Sequence, residues 1–322
     1  MNCPRSIVVV APSRLHFGLL GFGDLAKRQF GGAGVMVAEP QLELHARPAA
    51  AFGVEGSLEE RIRQVAQQWQ QSRGESALPR CRFEVRAAPP LHSGLGAGTQ
   101  LALSVASALN ALHGLPPPTV AELAASVARG LRSAVGTHGF AQGGLIAELG
   151  KLPDQRIAQL HERVPFPESW RLLLVTPGAA DRGLSGAPER QAFDQLPPVE
   201  PAVTMRLQEI LCRQLLPAVR SQDLASFSAS LHEFGRLAGE CFASIQGGAY
   251  NGPDLQRLVE RIRSLGVHGV GQSSWGPTIF AVCADQAAAE RLRGQLLQHG
   301  WASEAEIVIT AADNRGARVH ND

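Results

Sequence analysis

The chain has 322 residues, of which 44% are hydrophobic and 18% are charged, with 30 basic residues against 29 acidic ones. This composition is typical of a folded globular protein and too apolar for a disordered chain, and the length predicts two lobes. The formal charge of +1 excludes an overall electrostatic field that would recruit nucleic acid or an acidic membrane surface. Any anion site must therefore be local.

Five cysteines are scattered along the chain, and none belongs to a CxxC pair. Their odd number and wide spacing argue against a disulfide framework or a zinc site and favour a reducing compartment. The longest apolar stretch near the N-terminus, residues 7–12, is too short for a signal-peptide core or a membrane span. We therefore expect a cytoplasmic protein.

The first half of the chain is predicted to mix strands with helices. Ser57 and Glu60 have the spacing of a capping box at the start of one helix, and Thr119 and Glu122 repeat that spacing at another. The predicted strands are residues 6–11, 34–38, 41–47 and 80–88, and the predicted helices are residues 57–71, 99–113 and 119–128.

The second half is predicted to form a separate α+β lobe. Strands at 144–149 and 171–176 flank a polar segment, and a lobe boundary within it divides the chain into residues 1–160 and 161–322. The remaining predicted helices are residues 203–220, 223–242, 254–265 and 285–299, and the remaining strands are residues 278–283 and 304–310.

A glycine-rich loop, PPLHSGLGAGTQ at residues 89–100, leads directly into an apolar helix. Glycines let the backbone approach a phosphate closely, and the free N–H groups at the start of a helix favour a bound anion. No GKS or GKT follows, which excludes a P-loop, and the spacing lacks the third glycine of a dinucleotide-binding fingerprint. The loop therefore predicts a phosphate site of another kind.

The GLGAG sequence, which follows a proline, resembles the phosphate-binding motif of the GHMP kinase superfamily. Residues 11–18 (APSRLHFG) are similar to that superfamily's N-terminal motif, and residues 269–278 (GVGQSSWGPT) to its C-terminal glycine-rich motif. The resemblance implies a GHMP-kinase-like α+β fold of two lobes. An N-terminal lobe resembling the ribosomal S5-like domain would precede a C-terminal α+β lobe, with the site between them.

The sequence departs from the kinases at residues 132–144 (RSAVGTHGFAQGG), where many GHMP kinases carry a catalytic aspartate and this chain has Thr137 and His138. With the other three motifs, this segment resembles the β-ribofuranosylaminobenzene 5′-phosphate synthases of tetrahydromethanopterin biosynthesis. That resemblance implies a reaction in which phosphoribosyl pyrophosphate and 4-aminobenzoate, or 4-hydroxybenzoate, form a carbon–carbon riboside with loss of carbon dioxide and pyrophosphate.

Candidate site residues are those that lie in or beside these motifs. Such a reaction needs donors for phosphoryl groups and cations for an aromatic carboxylate. His138 is the first choice for a group that handles a proton or orients the benzoate. The predicted catalytic residues are Arg14, His16, Arg132 and His138, and the predicted substrate-binding residues are Arg28, Gly94, Gly96, Ala97, Gly98, Thr99, Gln100, Thr137, Ser273, Ser274 and Trp275.

A magnesium ion is expected to neutralise the pyrophosphate leaving group. Its ligands are not evident; Asp24, Glu148 and Asp181 are the carboxylates nearest to the motifs. The resemblance also implies a homodimer that acts on small molecules. Two alternatives stay open at this stage: an ATP-dependent GHMP-family kinase, and a binding protein that kept the scaffold without catalysis.

Overall fold

A computed structural model describes residues 6–24, 26–178 and 191–321. Two β-sheets lie within this part of the chain, a sheet of seven strands and one of four. The strands are β1 (Ile7–Gly21), β2 (Phe30–Pro48), β3 (Gly53–Glu55), β4 (Cys81–Ala87), β5 (Leu145–Glu148), β6 (Leu160–Val164), β7 (Arg171–Val175), β8 (Val270–Gln272), β9 (Ile279–Cys283), β10 (Ile307–Thr310) and β11 (Arg318–Asn321).

The helices divide between the two halves of the chain, and a π-helical turn at Leu211–Leu215 joins α5 to α6. The helices are α1 (Glu59–Ser72), α2 (Ala97–Leu112), α3 (Val120–Ser126), α4 (Val135–Gln142), α5 (Pro201–Ile210), α6 (Leu216–Arg220), α7 (Leu224–Glu240), α8 (Ala243–Gln246), α9 (Pro253–Ser264) and α10 (Gln286–Gln298).

The seven-stranded sheet runs in the order β11-β1-β2-β4-β3, with β5 paired to β2 and β6 paired to β5. Strands β1 and β2 are long antiparallel partners, and register shifts near Ala11 and His16 bend them. Helices α1 and α2 cover this sheet, burying Trp69 and Phe83 in a shared core. Because α2 is apolar nearly all round, it lies buried along most of its length.

The four-stranded sheet has the order β10-β7-β9-β8 and is covered by α9 and α10. Helix α7 packs against β1 of the first sheet and β8 of the second, and its Phe227 and Phe234 are fully buried between them. One apolar core therefore joins the two lobes, and this core fixes the loops at their junction.

The lobe boundary drawn from the sequence falls at the start of β6, which still pairs within the first sheet. The chain enters the second sheet with β7 and returns to the first at its end, where β11 pairs with β1. The second lobe is thus inserted between strands of the first. None of the described helices is long and apolar enough to cross a membrane.

Several local predictions need correction. The strands predicted at residues 34–38 and 41–47 are one continuous strand, β2. The predicted break after residue 11 is wrong, because β1 continues to Gly21 through bulges that keep its ladder with β2. The capping box at Ser57 does not form, since Leu58, with φ 72°, is the N-cap of α1 and no side chain caps it. The box at Thr119 and Glu122 is confirmed.

Candidate active site

A cavity of about 1260 Å³ lies where the two lobes meet. Segments from β1, the glycine-rich loop before α2, the turn before α4 and the loop after β8 line it. A cavity of this size at a lobe junction holds a ligand of metabolite size or larger. We therefore take it as the candidate active site.

The three motifs found in the sequence come together at this cavity. The Ser273 hydroxyl accepts the backbone N–H of His16 at 3.0 Å and donates to the Gly94 carbonyl at 2.7 Å. A Cβ placed on Gly94 would lie 2.2 Å from the Ser273 carbonyl oxygen, and one on Gly276 would lie 2.2 Å from the Gly94 nitrogen. Only glycine fits at this crossing of the two loops.

The glycine-rich loop ends at the head of α2, where Gly96 is the N-cap with φ 75°. No side chain caps this helix and no acidic residue lies in its first turn. Gly96, Ala97 and Gly98, at the head of the helix, line the cavity. Such an uncapped helix start favours a phosphoryl group.

Three arginines that line the cavity near the head of α2 form what we call the cationic wall: Arg14, Arg61 and Arg129. A Cβ on Gly96 would lie 3.1 Å from Arg14 Nε, and one on Gly98 would lie 3.9 Å from Arg61 Nη1. Arg14 and Arg61 thus flank the helix start on two sides. Guanidinium groups in this arrangement suit a phosphate or pyrophosphate better than an apolar ligand.

Phe193, Phe242 and Trp275 form an aromatic wall on another part of the cavity lining. The rings of Phe242 and Trp275 meet edge to face with centroids 5.0 Å apart, and those of Phe193 and Trp275 are 6.0 Å apart. The guanidinium carbon of Arg132 lies 4.8 Å from the centre of the Phe193 ring. This wall can receive a flat ring and offers one cation to a carboxylate.

His16 also lines the cavity and is only 4% exposed. Its Nδ1 accepts the N–H of Gly18 at 3.2 Å, so Nε2 carries the proton and donates to the Ser133 hydroxyl at 2.9 Å. Burial and then the nearby charge of Arg14 lower the pKa of His16 well below its ordinary value. The ring is therefore neutral, and both its nitrogens hold backbone and side-chain partners in place.

Glu148 lies beneath Ser133 with no exposed surface. Both of its carboxylate oxygens accept the backbone N–H of Ala134 at 3.0 Å. Burial raises the pKa of Glu148 to about 7, against the opposing effect of hydrogen bonds from Ser133 and Ala134 and the charges of Arg14 and Lys151. A carboxyl group that titrates near neutrality thus lies directly beneath the cavity.

Ten of the predicted site residues line the cavity. They are Arg14, His16, Gly94, Gly96, Ala97, Gly98, Thr99, Arg132, Ser274 and Trp275. Five others do not line it: Arg28, Gln100, Thr137, His138 and Ser273.

Three of these five residues lie in helices α2 and α4 and are buried behind the cavity lining: Gln100, Thr137 and His138. His138 Nε2 bonds the Ala158 carbonyl at 2.9 Å, and burial lowers its pKa. Gln100 donates to the Gly136 carbonyl at 3.0 Å, joining α2 to α4. Thr137 is 2% exposed. These side chains pack the two helices together, so α4 supports the cavity without pointing His138 into it.

Arg28 and Ser273 are held by other contacts. Arg28 donates to the Gly150 carbonyl at 3.1 Å and to Gln155 at 3.4 Å, on the outside of the sheet. Ser273 is fully buried and uses its hydroxyl to tie Gly94 to His16. It holds the loops in register and does not face a ligand.

The lining residues missed from the sequence include Arg61, Arg129, Phe193 and Phe242. Arg61 lies in α1, far along the chain from the glycine-rich loop, and Phe193 and Phe242 lie in polar or amphipathic segments without a motif. Arg129 precedes Gly130 shortly before the 132–144 motif, which is the one signal that could have drawn attention to it.

The magnesium ion expected from the sequence stays a prediction. No group of three or more His, Cys, Asp or Glu side chains lies close enough together in that part of the chain to hold a metal. Glu60 and Asp194 line the cavity, whereas Glu148 is buried beneath it. Asp181, named above as a possible ligand, lies outside the described residues. We therefore derive no step through a metal.

Comparison with known proteins agrees with this geometry. A β-ribofuranosylphenol 5′-phosphate synthase of Methanothermobacter thermautotrophicus is 29% identical, over 97% of this chain and 98% of that protein. One of Archaeoglobus fulgidus is 28% identical, over 96% of this chain and 97% of that protein. The similarity therefore spans both lobes and all of the motifs.

Comparison with solved structures shows a shared fold. The homoserine kinase of Cytophaga hutchinsonii has a TM-score of 0.66 at 17% identity, covering 99% of each chain. The family GHMP kinases N terminal domain matches residues 60–142, and GHMP kinases C terminal matches residues 215–301. With both halves matched in order around one cavity, the chain belongs to the GHMP kinase superfamily and has its two-lobe α+β fold.

Proposed function

We propose that the chain is a β-ribofuranosylaminobenzene 5′-phosphate synthase. It would join phosphoribosyl pyrophosphate to 4-aminobenzoate, or to 4-hydroxybenzoate, and release carbon dioxide and pyrophosphate. The observation that carries the proposal is the pairing of a cationic wall with an aromatic wall in one cavity. The relatives named as β-ribofuranosylphenol 5′-phosphate synthases support it along the whole chain.

The phosphorylated sugar suits the side of the cavity at the head of α2. The uncapped helix start and Arg14 offer N–H donors and positive charge to phosphoryl oxygens. Charge that grows on a departing pyrophosphate is stabilised by fixed donors of this kind without any rearrangement of the site. We therefore assign pyrophosphate departure to the cationic wall.

The aromatic acid suits the side formed by Phe193, Phe242 and Trp275. Its ring would pack against these rings, and Arg132 would bind its carboxylate before that group is lost. Holding the ring carbon against the anomeric carbon turns an encounter of two molecules into a step within one complex.

The bond changes balance without an added oxidant. The anomeric carbon loses its bond to pyrophosphate oxygen, which keeps the electron pair, and the ring carbon bearing the carboxylate bonds to the anomeric carbon. The bond between ring and carboxylate then breaks, its electron pair returns to the ring, and carbon dioxide leaves. His16 stays neutral, and both of its ring nitrogens are hydrogen-bonded. We therefore propose that His16 holds Ser133 and β1 in position and does not itself transfer a proton.

The kinase alternative makes a different demand on the same cavity. A kinase would need a base for an alcohol, and the segment at 132–144, where many GHMP kinases carry an aspartate, has no acidic residue. The carboxylates that line the cavity among the described residues are Glu60 and Asp194. The two relatives of 28–29% identity described above carry the synthase name and cover nearly the whole chain, which favours the synthase.

Product analysis tests the proposal. Purified protein is incubated with phosphoribosyl pyrophosphate and each benzoate in turn, with and without magnesium, and pyrophosphate and carbon dioxide are measured. Release of both in equal amounts, dependent on the benzoate, is the expected result. ADP formed from ATP together with a phosphorylated alcohol, or binding of the sugar without turnover, would contradict it.

Three finer parts of the proposal rest on the resemblance and on composition: a homodimer, a cytoplasmic location, and a place in tetrahydromethanopterin biosynthesis. Light scattering of the purified protein tests the first of these. We expect twice the mass of one chain, which is 34.2 kDa. A single-chain mass at working concentration would contradict the dimer and leave the catalytic proposal intact.

A further inference from the structure

Arg61 and Arg129 are the least expected feature of the cavity lining. They come from α1 and from the turn after α3, and neither forms an ion pair with an acidic side chain among the described residues. Other arginines at the surface do have such a partner; Arg63, two residues from Arg61 on the same helix, pairs with Glu59 at 2.9 Å. Ion pairing within the described part of the chain therefore does not explain why these two cations lie next to each other.

Burial makes this arrangement costly for the empty protein. The Nε of Arg129 is buried and has no hydrogen-bond partner. Desolvation and then the neighbouring charge of Arg61 lower the pKa of Arg129. Burying an unpaired charge is unfavourable, so such a group is retained where a ligand supplies the missing anion.

The space between these side chains fits that interpretation. A recess of about 50 Å³ opens off the main cavity, lined by Arg61, Arg129 and Gly98 together with Gln64 and Gln68. It holds room for several water molecules or one compact polar group. Arg61 also has its Nη2 3.2 Å from Nε2 of His92 in the glycine-rich loop, which fixes the guanidinium next to the helix start.

We propose that Arg61 and Arg129 form a diphosphate subsite, which binds the leaving pyrophosphate of the sugar donor next to the head of α2. This inference rests on the proposed function for the identity of the donor. The chemistry itself, two guanidinium groups on a diphosphate, could also receive the diphosphate part of a nucleotide. The ligands used in the test distinguish these two sources.

The experiment measures binding without turnover. Inorganic pyrophosphate, ribose 5-phosphate and ADP are each titrated calorimetrically into the full-length wild type and into Arg61→Gln and Arg129→Gln. Arg63→Gln, the same change on the same helix outside the cavity, is the matched control. We expect each cavity variant to weaken pyrophosphate binding by at least about tenfold, as loss of a charge-assisted contact predicts, and to leave ribose 5-phosphate within about twofold.

Several outcomes would overturn the subsite. These are pyrophosphate affinity unchanged in both cavity variants, an equal loss in Arg63→Gln, or an equal loss for ribose 5-phosphate, which lacks a diphosphate. If ADP binds as tightly as pyrophosphate and weakens with it, the subsite stands as a diphosphate site that also accepts a nucleotide. Whether the sugar donor turns over is decided separately, by release of pyrophosphate and carbon dioxide.

Thermal unfolding of the ligand-free variants separates a binding role from a structural one. Removing an unpaired, desolvated charge should raise the melting temperature, so we expect Arg129→Gln to melt about 2 °C or more above wild type. A structural arginine would do the opposite. A lower melting temperature together with unchanged pyrophosphate affinity would identify Arg129 as a packing residue and overturn the proposal.

Discussion

The two walls of the cavity are stabilised in opposite ways. In the aromatic wall, Phe193, Phe242 and Trp275 pack against one another and continue into a small apolar cluster. In the cationic wall, Arg61 and Arg129 lie side by side without a carboxylate, next to an uncapped helix start. The aromatic wall is satisfied by its own contacts, whereas Arg61 and Arg129 pair with no acidic side chain among the described residues.

This difference indicates what each wall contributes to binding. A wall of packed rings is ready to receive a flat ring, and its contribution comes from buried apolar area. Arg61 and Arg129, which have no acidic partner in the described part of the chain, are unfavourable when the cavity is empty, and their contribution to binding comes from the counter-charge that a bound anion supplies. The polyanionic substrate should therefore stabilise the protein more than the aromatic acid does, and melting curves with each ligand check this.

Gly94→Ala changes the point where the glycine-rich loop crosses the loop after β8. We expect this substitution to have the largest effect, a loss of unfolding free energy. Its φ of 86° disfavours any side chain, and its Cβ would lie 2.2 Å from the Ser273 carbonyl oxygen. A loss of about 3 kcal/mol or more of unfolding free energy follows. Gly98→Ala is the control, because its Cβ would meet nothing closer than 3.9 Å; equal urea midpoints for the two variants would contradict the prediction.

Arg14→Gln removes one cation of the cationic wall. We expect kcat/KM to fall on the order of 10²- to 10³-fold, as for loss of one fixed donor to a developing charge. Arg28→Gln is the control, since Arg28 donates to Gly150 and Gln155 away from the cavity, and it should stay within about twofold. An equal fall of kcat/KM in both variants would contradict the proposed role of Arg14 in binding the phosphoryl groups.

The buried carboxyl group of Glu148 makes the free energy of unfolding depend on pH. Its folded pKa of about 7 lies above the ordinary value of 4.5, so the folded state holds more protons than the unfolded state between these values. This group's contribution therefore destabilises the fold as pH rises from about 4.5 to about 7, by roughly 3 kcal/mol at most.

Glu148→Gln should remove that part of the pH dependence. The charged groups near Glu148 are Arg14 and Lys151, and both are unchanged in the variant. Urea midpoints of wild type and variant at pH 5 and pH 7.5 measure the difference directly, because the other carboxyl groups contribute equally to both. Parallel changes in the two proteins would show that Glu148 ionises normally.

Trp275→Leu tests the aromatic wall and should have the smallest effect. Loss of the ring contacts with Phe193 and Phe242 is expected to raise KM for the benzoate about tenfold and leave KM for the sugar donor within about twofold. Trp301→Leu, which alters a tryptophan stacked on His299 in the second lobe, is the control. A rise in KM for the sugar alone would reverse the assignment of the two walls.

The order of strands and helices was largely predictable from local patterns. The Thr119 capping box, the buried helix after the glycine-rich loop and strands such as β7 and β9 stand close to where the sequence places them. The errors lie where distant partners decide. β1 runs through its predicted break because β2 pairs with it over the bulges, and β11 is a strand because β1 offers it an edge.

The sequence by itself determined the chemistry of the glycine-rich loop and the motifs that meet at it, because backbone freedom and helix starts are local properties. Only the tertiary structure decided which side chains face the cavity. It brought Arg61 and Arg129 to the head of α2 and turned His138 into the packing between helices. Side-chain direction depends on which faces pack together, and contacts between residues far apart in the chain set those faces.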